Sequence, residues 1–180
     1  MGAASYSSAR GYTAVQLLIV MAIIGIGAAI GMPSFKSLIE WQRATTRVHV
    51  LTAHLAMARS FAITQGEPVS ICPSMDGARC RTDRDWSRGW ILFKDPERGG
   101  QPLSAVSVLR VEHASSSGGI DITSTAGRAI VRFLPNGRST GTNITISLCR
   151  NARRLADVVV NNSGRARTVR YTSSVSCMAR

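Results

Sequence analysis

The polarity of the chain changes its period twice. From Ala14 to Met32 the run is apolar except for Gln16 near its start, and it holds no charged residue. About 19 residues at 1.5 Å each reach across a hydrocarbon core of ~30 Å. A globular helix of that length would carry a polar face, and this stretch has none. The pattern predicts a transmembrane helix over residues 12–33.

Beyond Pro33 the apolar positions recur in steps of three and four. Phe35, Leu38 and Ile39 begin a stripe that resumes at Val48, Leu51, Leu55, Ala58 and Ala62, while Arg43, Arg47 and Arg59 fall mostly on other faces. This predicts an amphipathic continuation of the helix over 34–66. Gly66 and Pro68 supply its stop, and Gly31 and Pro33 mark a weak point. The whole helix would be on the order of 75 Å long.

After residue 67 the period becomes two. Strands are expected at 68–72, 89–94, 104–112, 119–122, 129–134, 143–149, 156–161 and 167–172. Turn residues fill most gaps, as in Asp95-Pro96-Glu97-Arg98-Gly99-Gly100 and Pro135-Asn136-Gly137. One long helix followed by short strands predicts an α+β protein. Its β-rich domain, 67–180, would pack antiparallel sheet on the helical stripe.

Charge narrows the partners. The 180 residues carry a formal net charge of +12, and every basic residue except Lys36 and Lys94 is arginine. Arginine suits bidentate phosphate binding better than lysine. Such a balance predicts an acidic partner: nucleic acid, anionic lipid or acidic protein. A merely solvated basic surface is the plain alternative.

Cys72, Cys80, Cys149 and Cys177 lack the spacing of a zinc site, and the three histidines are scattered. Behind a membrane anchor they predict an oxidising compartment and two disulfides. Three pairings are possible, and local closure favours Cys72–Cys80 and Cys149–Cys177. His49 and His54 are expected as surface or packing residues. No nucleophile–base–acid set, phosphate loop or His-Glu-x-x-His occurs. Asp83 and Asp85 lie among Arg81, Arg84 and Arg88, which predicts ion pairs. Trp86 and Trp90 are expected to pack. The chain is read as no enzyme, with no metal or cofactor.

Arg10-Gly11-Tyr12-Thr13, set before the apolar run, resembles the prepilin leader of type IV pilins and pseudopilins. The resemblance implies cleavage after Gly11 by a prepilin peptidase and methylation of the new terminus at Tyr12. Residues 1–11 would then be the leader, and the mature chain would keep its anchor. Most members carry Glu at the fifth mature position, where it pairs with a neighbouring subunit's terminal amine. Here that position is Gln16, which offers only a neutral acceptor.

Three further blocks are similar to the GspH/FimT group of minor pilins and pseudopilins. They are Arg59-Ser60-x-Ala62-Ile63-x-x-Gly66-x-Pro68-Val69, Ile71-Cys72-Pro73-Ser74-x-Asp76-Gly77-x-x-Cys80 and Trp86-x-x-Gly89-Trp90-Ile91-Leu92-Phe93. The resemblance implies a pilin-like fold and a single-pass inner-membrane protein with a periplasmic domain. It also implies entry into a pilus or pseudopilus beside other pilins.

The charge concentrates at the C-terminus, where seven arginines from Arg150 to Arg180 stand against one acid, Asp157. Asn161-Asn162-Ser163-Gly164 is turn chemistry, and Gly164 takes positive φ at little cost. Arg165 and Arg167 are two apart and point the same way in extended backbone. They can set two guanidinium forks on successive phosphates. Gly127-Arg128 and Gly137-Arg138 lack the second arginine.

Gly164-Arg165-x-Arg167 resembles the motif by which FimT-type minor pilins bind DNA in natural transformation. The resemblance implies Gly164, Arg165 and Arg167 as DNA-binding residues; charge and proximity in sequence add Arg170 and Arg154. Binding to the phosphates of double-stranded DNA would be largely sequence-independent. The alternatives are a structural minor pilin or type II secretion pseudopilin that primes fibre assembly without DNA, and an envelope protein that binds anionic lipid.

Overall fold

The structure is a computed structural model describing residues 13–113 and 119–177, apart from the side chains of 30–37 and 174. The chain forms two units, Met1–Trp41 and Gln42–Arg180. Helix α1, Ala14–Gln65, begins in the first and ends in the second.

In the first unit Thr13 and Gln16 close a capping box. The Thr13 N–H donates to Gln16 Oε1 (3.3 Å), and the Gln16 N–H donates to Thr13 Oγ1 (3.4 Å). Two N–H groups at the helix start are thereby satisfied. Every large aliphatic residue from Val15 to Ile26 is more than half exposed. Among the described residues no helix is long and apolar enough to cross a membrane. The expected span, however, runs on to Met32, past Ala29, where the described side chains pause. Gly11 and Tyr12 lie outside the described residues, and the side chains of the expected weak point at Gly31 and Pro33 lie outside those described.

The second unit contains the strands β1 (Val69–Pro73), β2 (Gly89–Lys94), β3 (Val108–His113), β4 (Asp121–Ser124), β5 (Val131–Phe133), β6 (Ile144–Arg150), β7 (Arg153–Val160) and β8 (Ala166–Ser176). They form two four-stranded antiparallel sheets, ordered β3-β2-β1-β5 and β4-β6-β7-β8. The expected strand start at Ser104 is instead a 3-10 turn, Ala105–Ser107, and β3 starts at Val108. Strand β7 starts three residues before its expected position. Asn151 and Ala152, at φ 47° and 60°, close a tight hairpin that pairs Arg150 with Arg153.

The helical stripe is buried from Ala44 through Val48, Leu51, Leu55, Ala58 and Ala62, whereas Leu38 and Ile39 are exposed. Both sheets supply one core with it: Val69, Ile71 and Leu92 from the first, Ile144, Ile146 and Val158 from the second. Each fully buried large aliphatic contributes about 1.5–3 kcal/mol. Strands β1 and β2 are buried on both faces. Cys72, Ile91 and Phe93 lie in a second cluster with Val108, Val111 and Ile130. Two-sided burial is why Gly89–Phe93 shows no polar alternation.

Cys72–Cys80 and Cys149–Cys177 are both bonded, with Cα atoms 5.5 and 6.1 Å apart. These are the pairs that local closure favours. Trp86 and Trp90 are buried, and the Trp90 Nε1–H donates to His54 Nδ1 at 2.9 Å. Arg81 pairs with both Asp83 and Asp85.

Candidate nucleic-acid interface

The turn between β7 and β8 is built as its residues dictate. Gly164 sits at φ +75°, and its N–H donates to Asn161 O (2.8 Å). Asn161 Oδ1 accepts from the Ser163 hydroxyl (2.7 Å) and from the Arg165 N–H (3.1 Å). This side-chain oxygen fixes the backbone from which Arg165 projects, an Asx-type arrangement.

Register sets the direction of the arginines. Val160 pairs with Ala166, and both pack in the core. Their neighbours Val159 and Arg167 pair on the opposite face. Arg165 and Arg167 therefore lie together on the face turned away from α1. Both are exposed, and among the described residues neither has a carboxylate partner. Elsewhere acids are engaged: Arg47–Glu112, Arg132–Asp95 and Lys94–Glu67 are ion pairs.

Arg170 and Arg154 are not brought to this pair. Arg170 pairs with Ala156, a core residue, and so lies on the α1 side of β8. Its Nη2 is 3.3 Å from His49 Nε2. Arg154 lies near the far end of β7, about 20 Å along the strand from Val160. Its Nη1 is 3.5 Å from Asp157 Oδ2, and its guanidinium lies 5.9 Å from the centre of the Tyr171 ring. Tyr171 donates to the same Asp157 oxygen (2.9 Å). Both additions by charge and proximity in sequence are thus separated from the turn, one by strand parity and one by distance.

The turn does not stand alone. The Ser139 N–H donates to Asn162 O (3.1 Å). A Cβ placed on Gly164 would stand 2.0 Å from Gly137 O, the backbone of the turn that follows β5. Gly137 O itself accepts from Arg59 Nε (2.9 Å), on the last turns of α1. Helix, β5 turn and β7–β8 turn meet at two glycines. Nothing in the linear spacing placed Gly137 beside Gly164. Among the described residues no group of acids, histidines and cysteines is placed to hold a metal ion.

Residues 48–164 match the family described as "Type II transport protein GspH". The type IV minor pilin FimU of Pseudomonas aeruginosa PAO1, solved in two crystal forms, has a similar structure. Its identities are 20% and 21% and its TM-scores 0.55 and 0.57; the alignments cover 74% and 80% of this chain and 99% of each solved chain. The minor pseudopilin EpsH of the Vibrio cholerae Type 2 Secretion System matches at 14% identity and TM-score 0.50, over 71% of this chain and 96% of that one. At these identities the likeness is one of fold. No curated protein sequence matches the chain.

Proposed function

The chain belongs to the GspH family, and from that membership we propose that it is a minor fibre subunit that binds double-stranded DNA through Arg165 and Arg167. The exposed aliphatic surface from Val15 to Ile26 supports a role for α1 as an inner-membrane anchor, with the β-rich domain in the periplasm or on a pilus. In this reading a prepilin peptidase removes residues 1–11, and other pilins are the chain's neighbours. Gln16 then caps its own helix through Thr13, where most members offer a carboxylate to another subunit.

One observation carries the DNA reading. Two exposed guanidinium groups, without carboxylate partners among the described residues, flank Ala166 at the start of β8, beside a turn whose Asn161 oxygen fixes the backbone of the first of them. Such contacts neutralise phosphates and read no base edges, so capture is sequence-independent, which suits uptake of foreign DNA in natural transformation. A fibre bearing several copies would gain by avidity.

The test is titration of the full chain, in neutral detergent, with a short DNA duplex at low salt. Arg165→Ala with Arg167→Ala should abolish binding while the unfolding midpoint stays unchanged. Undiminished binding by the double variant removes the assignment. Equal affinity for anionic vesicles would favour lipid as the partner. Fold likeness to the EpsH pseudopilin supports a second reading, a subunit that primes assembly and touches no DNA. That reading predicts no binding by the unaltered chain.

A further inference from the structure

The turn after β5 repeats the construction of the β7–β8 turn. Gly137 stands at φ +76° and Gly164 at φ +75°. Asn136 Oδ1 accepts from the Arg138 N–H at 3.0 Å, as Asn161 Oδ1 accepts from the Arg165 N–H at 3.1 Å. In each turn an asparagine oxygen pins the backbone of the arginine that follows the glycine. Arg138, like Arg165, is exposed and has no carboxylate partner among the described residues.

The two turns are locked together. Gly164 approaches Gly137 O too closely for any Cβ, and the Ser139 N–H, one residue past Arg138, reaches Asn162 O. Arg59 Nε fills the remaining corner: it bonds Gly137 O, and a Cβ on either glycine would stand 3.2–3.3 Å from it. Arg138 and Arg165 are therefore presented from adjoining rigid backbone rather than from independent loops. Their side-chain entropy still opposes binding, but no loop has to be ordered.

We propose that Arg138 is a third phosphate-binding arginine, continuing the Arg165 and Arg167 surface across the Gly137–Gly164 contact. The inference rests on the DNA reading above and extends its site from one hairpin to two. Three phosphate contacts give log K against log salt a slope of about −2.7; two give about −1.8. Over a fourfold rise in salt, binding then weakens by roughly 40-fold in the first case and roughly 12-fold in the second.

The experiment compares the full chain, Arg138→Ala and Arg88→Ala in neutral detergent, each titrated with a short DNA duplex over a fourfold salt range. Arg88 is exposed and precedes β2, at the end of that sheet away from the Gly137 turn, so its loss removes the same charge elsewhere. Arg138→Ala should lower the slope by about 0.9 and Arg88→Ala should leave it unchanged. Arg138→Lys should restore the slope, because the charge returns at the same place. An unchanged slope in Arg138→Ala, or an equal drop in Arg88→Ala, overturns the inference while the Arg165 and Arg167 assignment stands. A full chain that binds no duplex at low salt overturns both.

Discussion

Gly164→Ala tests the meeting of the two turns most directly. Two costs add at this position. An L-residue at φ +75° is left-handed and costs about 1–2 kcal/mol. The new Cβ would also stand 2.0 Å from Gly137 O, a backbone atom that cannot swing aside. Gly137 is held by its own N–H to Leu134 O (2.8 Å) and by Arg59 Nε, so the turns must part. Parting them breaks the Ser139–Asn162 hydrogen bond, worth about 0.5–1.5 kcal/mol. The total is about 1.5–3.5 kcal/mol. Gly127→Ala is the matched control: its φ is also +75°, but nothing stands within 4 Å of its would-be Cβ. That variant should cost only the first about 1–2 kcal/mol. Urea unfolding of the full chain in neutral detergent, followed by emission of the buried Trp86 and Trp90, measures both. At a slope of ~2 kcal/mol per molar the Gly164 variant should lose about 0.8–1.8 M in midpoint. Duplex DNA affinity should fall with it, because Arg165 moves with the turn. Two variants equal in stability to within about 0.5 kcal/mol would refute the close approach and everything derived from it.

Two other expectations concern the core and the cross-links. Burial holds His54 below its ordinary value of 6.5, with Glu112 opposing and Arg110 reinforcing the shift. The unfolded chain then binds the extra proton between the lowered value and 6.5, so this contribution is complete above 6.5 and declines as pH falls below it. Urea midpoints at pH 7.5 and 5.5 should show the loss, and His54→Gln should flatten it; an identical pH dependence in the variant would exclude His54 as its source. For the disulfides, Cys149→Ser with Cys177→Ser should destabilise by about 3.6 kcal/mol and Cys72→Ser with Cys80→Ser by about 2.6, in the order of their loop lengths. The reverse order in urea midpoints would show that loop entropy does not govern these bonds.

Local chemistry was legible in the chain itself. Val48, Leu51, Leu55, Ala58 and Ala62 mark a helix face because their spacing matches its pitch, and that face is the buried one. Among the described residues the eight strands lie near their expected places because alternation and turn residues act over a few neighbours. The cysteine pairs follow from the low entropy of short closures. The same-side placement of Arg165 and Arg167 follows from the pleat.

Contacts between distant segments were not legible, because no local period records them. Alternation gives each strand two faces but does not say that the strands divide into two sheets. Proximity in sequence grouped Arg154 and Arg170 with Arg165; strand length carried the first away, and parity turned the second toward His49. Conversely, Gly137-Arg138 and Gly164-Arg165 are far apart in the chain, yet the missing Cβ of Gly164 leaves room for the Gly137 carbonyl, and that of Gly137 for Ile63 and Arg59 on α1. Residue types determined that these would be turns; only packing on the end of α1 decided that they would touch.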